Sequence, residues 1–170
     1  MIENNQINVD DLPDINEIEF VSIHKDYFKV ILLNLLLFFG VAFGILIALD
    51  FFRLREELSN HIYLFYIVLA LLLGAFFVSF YIGFSRRKYA VRSKDISYEK
   101  GVLTTLLTIV PYNRIQHIEI NEGLFSRWFK LASIEIFTAG ASGKDLVISG
   151  ILKTEALKIK AFITQAMNDV

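Results

Sequence analysis

Two long stretches without a charge decide what this chain can become. Val30 to Leu49 runs for 20 residues with Asn34 as its one strongly polar member. Ile62 to Phe84 runs for 23, with Ser79 the one polar residue besides three tyrosines. As helices they measure about 30 and 34 Å, against a bilayer hydrocarbon core of about 30 Å. Both are read as transmembrane helices, spanning about 30–49 and 62–84, with residues 50–61 as the outer loop of a hairpin. The core of a small soluble domain rarely needs two such lengths side by side.

Positive charge orients the hairpin. Lys25, Lys29, Arg86, Arg87, Lys88, Arg92 and Lys94 lie on the side shared by both termini, whereas the loop holds Arg53 and Arg55, the first of them one helical turn from Glu57. Lys and Arg collect in cytoplasmic segments next to helix ends, so both termini are expected in the cytoplasm. No ionisable residue sits mid-span, which argues against an ion path or proton relay. Small residues suggest where the helices meet. Gly40 and Gly44 form one small-x-x-x-small pair and Ala70 and Gly74 another. Counted from the helix centres, Gly40 stands level with Gly74 and Gly44 with Ala70, a match that would allow close backbone approach.

After Phe84 there remain 86 residues, enough for one small domain. The absence of cysteine excludes disulfides and thiolate metal sites. The first apolar run is too long for a signal peptide and follows an acidic rather than a basic segment. The net charge of −1 conceals a segregation. Residues 1–27 carry seven acids and one lysine, and residues 86–170 carry 13 basic and eight acidic groups. Residues 1–27 are therefore expected to be an acidic, largely disordered tail, 28–85 the hairpin and 86–170 a cytoplasmic domain.

Ile18, Phe20 and Ile23 alternate, which fits either an extra strand on the domain or the approach to the membrane, and the second reading is preferred. Beyond the hairpin the apolar period becomes two, the strand signal. Strands are expected at 88–92, 95–99, 102–110, 115–120, 132–138 and 146–148. Pro111 should close the third, and His117, out of step, marks a bulge in the fourth. Leu124 to Phe129 reads as one helical turn. From Leu152 to Met167 the period turns helical, with Leu152, Ala156, Ile159, Ile163 and Ala166 on one stripe and Lys153, Lys158 and Lys160 opposite.

This order, together with Arg87-Lys88-Tyr89-Ala90-Val91-Arg92, Ile96-Ser97-Tyr98, Gly101, Ile109-Val110-Pro111-Tyr112-Asn113-Arg114-Ile115-Gln116-His117-Ile118, Arg127, Leu131-Ala132 and Thr138-Ala139-Gly140, resembles the bacterial pleckstrin-homology-like membrane proteins of the YdbS type. The resemblance covers roughly residues 25–168. One departure is Lys130, where such sequences usually carry glycine before Leu-Ala. It implies an α+β membrane protein: a transmembrane hairpin, then a pleckstrin-homology-like antiparallel sheet or half-barrel capped by a C-terminal amphipathic helix. It also implies a multi-pass place in the bacterial inner membrane, and it supplies no catalytic residues.

The residues point the same way. His24, His61 and His117 belong to separate segments. Gly140-Ala141-Ser142-Gly143-Lys144 lacks the glycine of a nucleophile elbow and the flanking residues of a P-loop, and reads as a turn. No catalytic, metal or cofactor site is expected, and the chain is read as non-enzymatic. Arg114 and Gln116, placed within a strand, are candidate ligand contacts, though Arg114 is better explained by pairing with Glu119 or Glu135. Trp128 and Phe129, with Phe125 and next to Arg127, fit either a core or an aromatic foot at the lipid interface. The cluster Arg86, Arg87, Lys88, Arg92 and Lys94 is first a topology signal. As a binding site it would hold an anionic headgroup through Arg92 and Lys94. Expected partners are membrane lipids and another membrane or membrane-associated protein, with self-association open. Nucleic acid is not among them, because the basic residues hug the membrane.

Overall fold

The computed structural model describes residues 18–51, 62–139 and 143–168. Most of the acidic leader, the loop from 52 to 61 with its two arginines, and the turn at 140–142 lie outside the described residues. Helix α1 (Tyr27–Phe51) and helix α2 (Ile62–Ser85) have mean hydropathies of 2.8 and 2.5 over their most apolar windows. Only 17% of the first window and none of the second is buried within the protein, so their apolar surfaces face outward as lipid-facing helices do. The polar side chains inside them bond back to their own helix: Asn34 Nδ2 donates to the Val30 carbonyl (2.8 Å) and Ser79 Oγ to that of Ala75 (2.9 Å).

The helices do not meet on their glycines. A Cβ built on Gly40, Gly44 or Gly74 would find nothing within 4 Å, and Ala70 is exposed. Contact instead runs through rings: Phe28 with Phe77, Tyr81 and Phe84, Phe39 with Phe76, and Phe43 stacked on Tyr66 at 6.2 Å. Bulky aromatic side chains interdigitating between the axes fill the space that a close glycine contact would have closed. The expected small-residue seam is thus turned toward lipid, with Gly40 and Gly44 each one residue along from the contacting Phe39 and Phe43.

The domain has two antiparallel sheets. The first has the order β1-β2-β3-β4, from β1 (Val21–Ser22), β2 (Lys88–Val91), β3 (Asp95–Gly101) and β4 (Thr105–Pro111). The second has the order β5-β6-β7, from β5 (Ile115–Asn121), β6 (Leu131–Thr138) and β7 (Leu146–Leu152). A 3-10 turn, Tyr112–Arg114, links the sheets, and the short helix α3 (Leu124–Trp128) joins β5 to β6. Pro111 ends β4 on the outer edge of its sheet, where a missing amide hydrogen is tolerated. The bulge in β5 falls between Ile115 and His117. Strand β7 is longer than its three apolar residues suggested and takes in Leu152, so helix α4 (Lys153–Asn168) starts one residue later. Ala156, Ile159 and Ile163 are buried from α4 against Ile96, Ile134, Ile136 and Ile148 from the two sheets.

The segment ahead of the hairpin belongs to this domain, which corrects the preferred reading of a mere approach to the membrane. Val21 and Ser22 pair with Tyr89 and Lys88, and Ile23 enters the core. The His24 amide donates to the Gly150 carbonyl (2.8 Å). Gly150 has φ 86, and a Cβ there would stand 2.6 Å from Cγ of Tyr27. Glycine is required at this position on both counts. The chain is therefore fastened to the domain on either side of the hairpin.

Candidate functional site

The direction of β3 sorts the basic residues into two groups. Its C-terminal end lies beside the membrane helices: a Cβ on Gly83 of α2 would stand 3.0 Å from Val102 Cγ2, and Arg86 Nη1 donates to the Val102 carbonyl (3.0 Å). Its N-terminal end lies seven residues away, about 20 Å for an extended strand. Arg86, Arg87 and Lys88 thus stand near the hairpin, and Arg92 and Lys94 at the far end of the sheet. The sequence places these five in one juxtamembrane cluster, which the strand divides.

Most of the near group has internal partners. Arg87 Cζ lies 5.9 Å from the Tyr27 ring centroid. Lys88 Nζ pairs with Glu99 Oε2 (3.1 Å) and lies 5.0 Å from the centroid of the Phe20 ring. Lys29 is held by Asp26 (2.6 Å), whose carboxyl falls below its ordinary pKa chiefly through that hydrogen bond.

At the far end, Arg92 forms a two-pronged pair with Asp95, Nε to Oδ1 at 2.8 Å and Nη2 to Oδ2 at 2.6 Å, which raises the guanidinium pKa further. Such a fork leaves Arg92 poorly placed to grip a headgroup. Tyr112 organises this end. Its hydroxyl donates to the Arg92 carbonyl (2.6 Å), its amide donates to the Lys94 carbonyl (3.0 Å), and its ring meets Phe162 of α4 edge-on at 6.2 Å. Burial, then the charge of Asp95, pushes its phenol up to about 12.

Around Tyr112 stand exposed Lys94, exposed Arg114 and Phe162, which is 45% exposed. Neither Lys94 nor Arg114 has an ion-pair partner among the described residues. The acids proposed for Arg114 are engaged elsewhere, Glu135 with Lys144 (2.7 Å) and Glu119 facing His117 (3.6 Å). Arg114 also closes the 3-10 turn rather than lying in a strand. Gln116 is exposed at the bulge that follows. Arg127 lies in α3, away from this group and packed with that helix beside α1. Phe162 was not singled out from the sequence, although its place off the buried stripe of α4 was a usable signal.

These features carry no reactive set. Among the described residues, three or more His, Asp or Glu side chains do not gather as a metal would require. The geometry can offer a partly apolar, positively charged surface beside an aromatic anchor.

Comparison with known proteins agrees with the architecture. Residues 28–167 match the family model described as bacterial PH domain. The transmembrane protein YdbT of Bacillus subtilis (strain 168) is 32% identical over 119 residues, covering 67% of this chain. The match spans 24% of that relative's length. A solved structure, a DUF1696 family protein with a pleckstrin-homology domain from Shewanella loihica PV-4, aligns at 18% identity with a TM-score of 0.39, covering 49% of this chain and 73% of its own. With a pair of membrane-spanning helices leading into two antiparallel sheets and a closing helix, and with the family model matched over most of its length, the chain belongs to the bacterial PH domain family of membrane proteins.

Proposed function

We propose that the protein is a non-enzymatic membrane anchor whose PH-like domain, on the cytoplasmic face of the inner membrane, docks an acidic segment of another protein in or on the same membrane. The observation that carries this reading is the surface around Tyr112: Lys94 and Arg114 exposed and without an ion pair among the described residues, beside half-exposed Phe162. Arginine and aromatic groups at the centre of a patch are what protein interfaces use as anchors. Tethering raises the effective concentration of any partner confined to the same bilayer, so a small patch suffices. Cytoplasmic placement rests on the excess of Lys and Arg beside the domain ends of the two helices.

The competing reading is a sensor of anionic headgroups through Arg92 and Lys94. It is the weaker one, because Arg92 is clamped by Asp95 and the turn stands up to about 20 Å along β3 from the hairpin. Surface charges act over about 8 Å at physiological salt. The test is photo-crosslinking in native host membranes followed by gentle solubilisation. The wild-type protein is expected to carry a crosslinked partner, and a Lys94→Glu, Arg114→Glu variant of equal abundance to lose it. Equal recovery from both, or an uncrosslinked chain under every detergent tried, overturns the proposal.

A further inference from the structure

We infer that the domain also rests directly on the bilayer through two apolar feet, one beside each helix of the hairpin. The first is the β3–β4 turn, where Leu103 is 96% exposed, with Leu106 at the start of β4 54% exposed. The second is α3, where Leu124 and Trp128 are each 68% exposed. A leucine bared to that degree at the tip of a turn is unfavourable in water and suits the boundary of an acyl phase.

Depth is fixed by contacts with the spans. Val102 packs against Gly83, which lies inside the uncharged run of α2, so the turn reaches the edge of the hydrocarbon. Phe129, at the end of α3, lies 5.7 Å from Nζ of Lys29, the last charge before the uncharged run of α1. The second foot therefore stands at headgroup level, where tryptophan is favoured. Basic groups complete each foot. Arg87 and Lys100 line a hollow of about 400 Å³ with Val102, Leu103 and Leu106, and Arg127 is exposed on α3. Phosphates of anionic lipid would meet these cations while the leucines enter the chain region, the division of labour of an interfacial anchor.

The chain suits a direct measurement, having one tryptophan and no cysteine. The full-length protein is reconstituted in vesicles of phosphatidylcholine and phosphatidylglycerol. Trp128 emission is expected to shift to the blue, to lose intensity with acyl-brominated lipids and to resist aqueous iodide. A spin label on Leu103→Cys is expected to relax with oxygen more than with a water-soluble nickel chelate. Quenching of Trp128 by iodide but not by brominated lipid, or relaxation of the label by the nickel chelate, overturns the inference. So does a label shielded from both reagents, which would mean that a second copy covers the turn.

Discussion

Lys130 holds φ 56, the left-handed region, at the turn between α3 and β6. A side chain there costs about 1–2 kcal/mol, and glycine gives back about 0.5–1 kcal/mol through its freer unfolded state. Lys130→Gly should therefore stabilise the protein by about 0.5–1 kcal/mol, read as a higher melting temperature in detergent. The turn's bonds, Lys130 N to the Arg127 carbonyl and Lys153 N to that of Lys130, use only backbone and survive the change. This residue stood out in the sequence as a departure from the glycine that the resemblance led one to expect before Leu131-Ala132. Tyr112 carries the other residue-scale prediction. Folded, its phenol keeps its proton to about pH 12, whereas an unfolded tyrosine releases it near pH 10. The folded state binds more protons in that interval, so stability is complete below pH 10 and falls as pH rises through 12. Tyr89, raised by burial and by its bond to Glu155, and Tyr98, raised by burial, act in the same sense. Denaturation followed from pH 8 to 12 should show a shallower alkaline loss in Tyr112→Phe than in the wild type, offset by about 1 kcal/mol of lower stability at neutral pH.

Among the elements, most sheet strands were readable because a period of two survives in the sequence, as at buried Ile134 and Ile136 in β6 and Leu146 and Ile148 in β7. The hairpin was not readable in the same way. Helices apolar on every side carry no polarity to say which side touches the partner, and small-residue spacing pointed to the wrong one. The ring-filled seam makes a clear prediction. A cysteine pair replacing Phe43 and Tyr66 should crosslink readily in membranes, whereas pairs at Gly40 with Gly74 or Gly44 with Ala70 should not. Gly40→Leu should leave the helix pair intact, whereas Phe39→Ala, at a site only 3% exposed, should weaken it by about 2 kcal/mol, less than in an aqueous core because lipid can relax into the gap. Strand β1 was the less favoured of two sequence readings for a different reason. It is two residues long, and its partner strand lies beyond the whole hairpin.

For the whole molecule, charge is distributed along the chain as a gradient: residues 1–27 carry an excess of six negative charges and residues 86–170 an excess of five positive ones. The acidic residues that precede β1 are expected to compete with an acidic partner for Lys94 and Arg114. Deleting residues 1–16 should raise affinity for an acidic peptide, more at low salt than at high, as measured by fluorescence anisotropy on protein in nanodiscs. Equal affinity at low ionic strength would dismiss that competition. The basic residues were visible in the sequence, but their division into two groups was not, because it depends on which way β3 runs. The pairing of Val21 with Tyr89 has a further consequence, for biogenesis. The ribosome delivers the two strands on either side of both spans, so this sheet stays incomplete until the second span has crossed the bilayer and returned the chain to its starting side. A copy whose second span fails to insert leaves β2 stranded across the membrane, with an open sheet edge and Ile23 without its place in the core. Closure of the domain would thus report insertion of the hairpin, and a misinserted copy is expected to be more exposed to proteolysis.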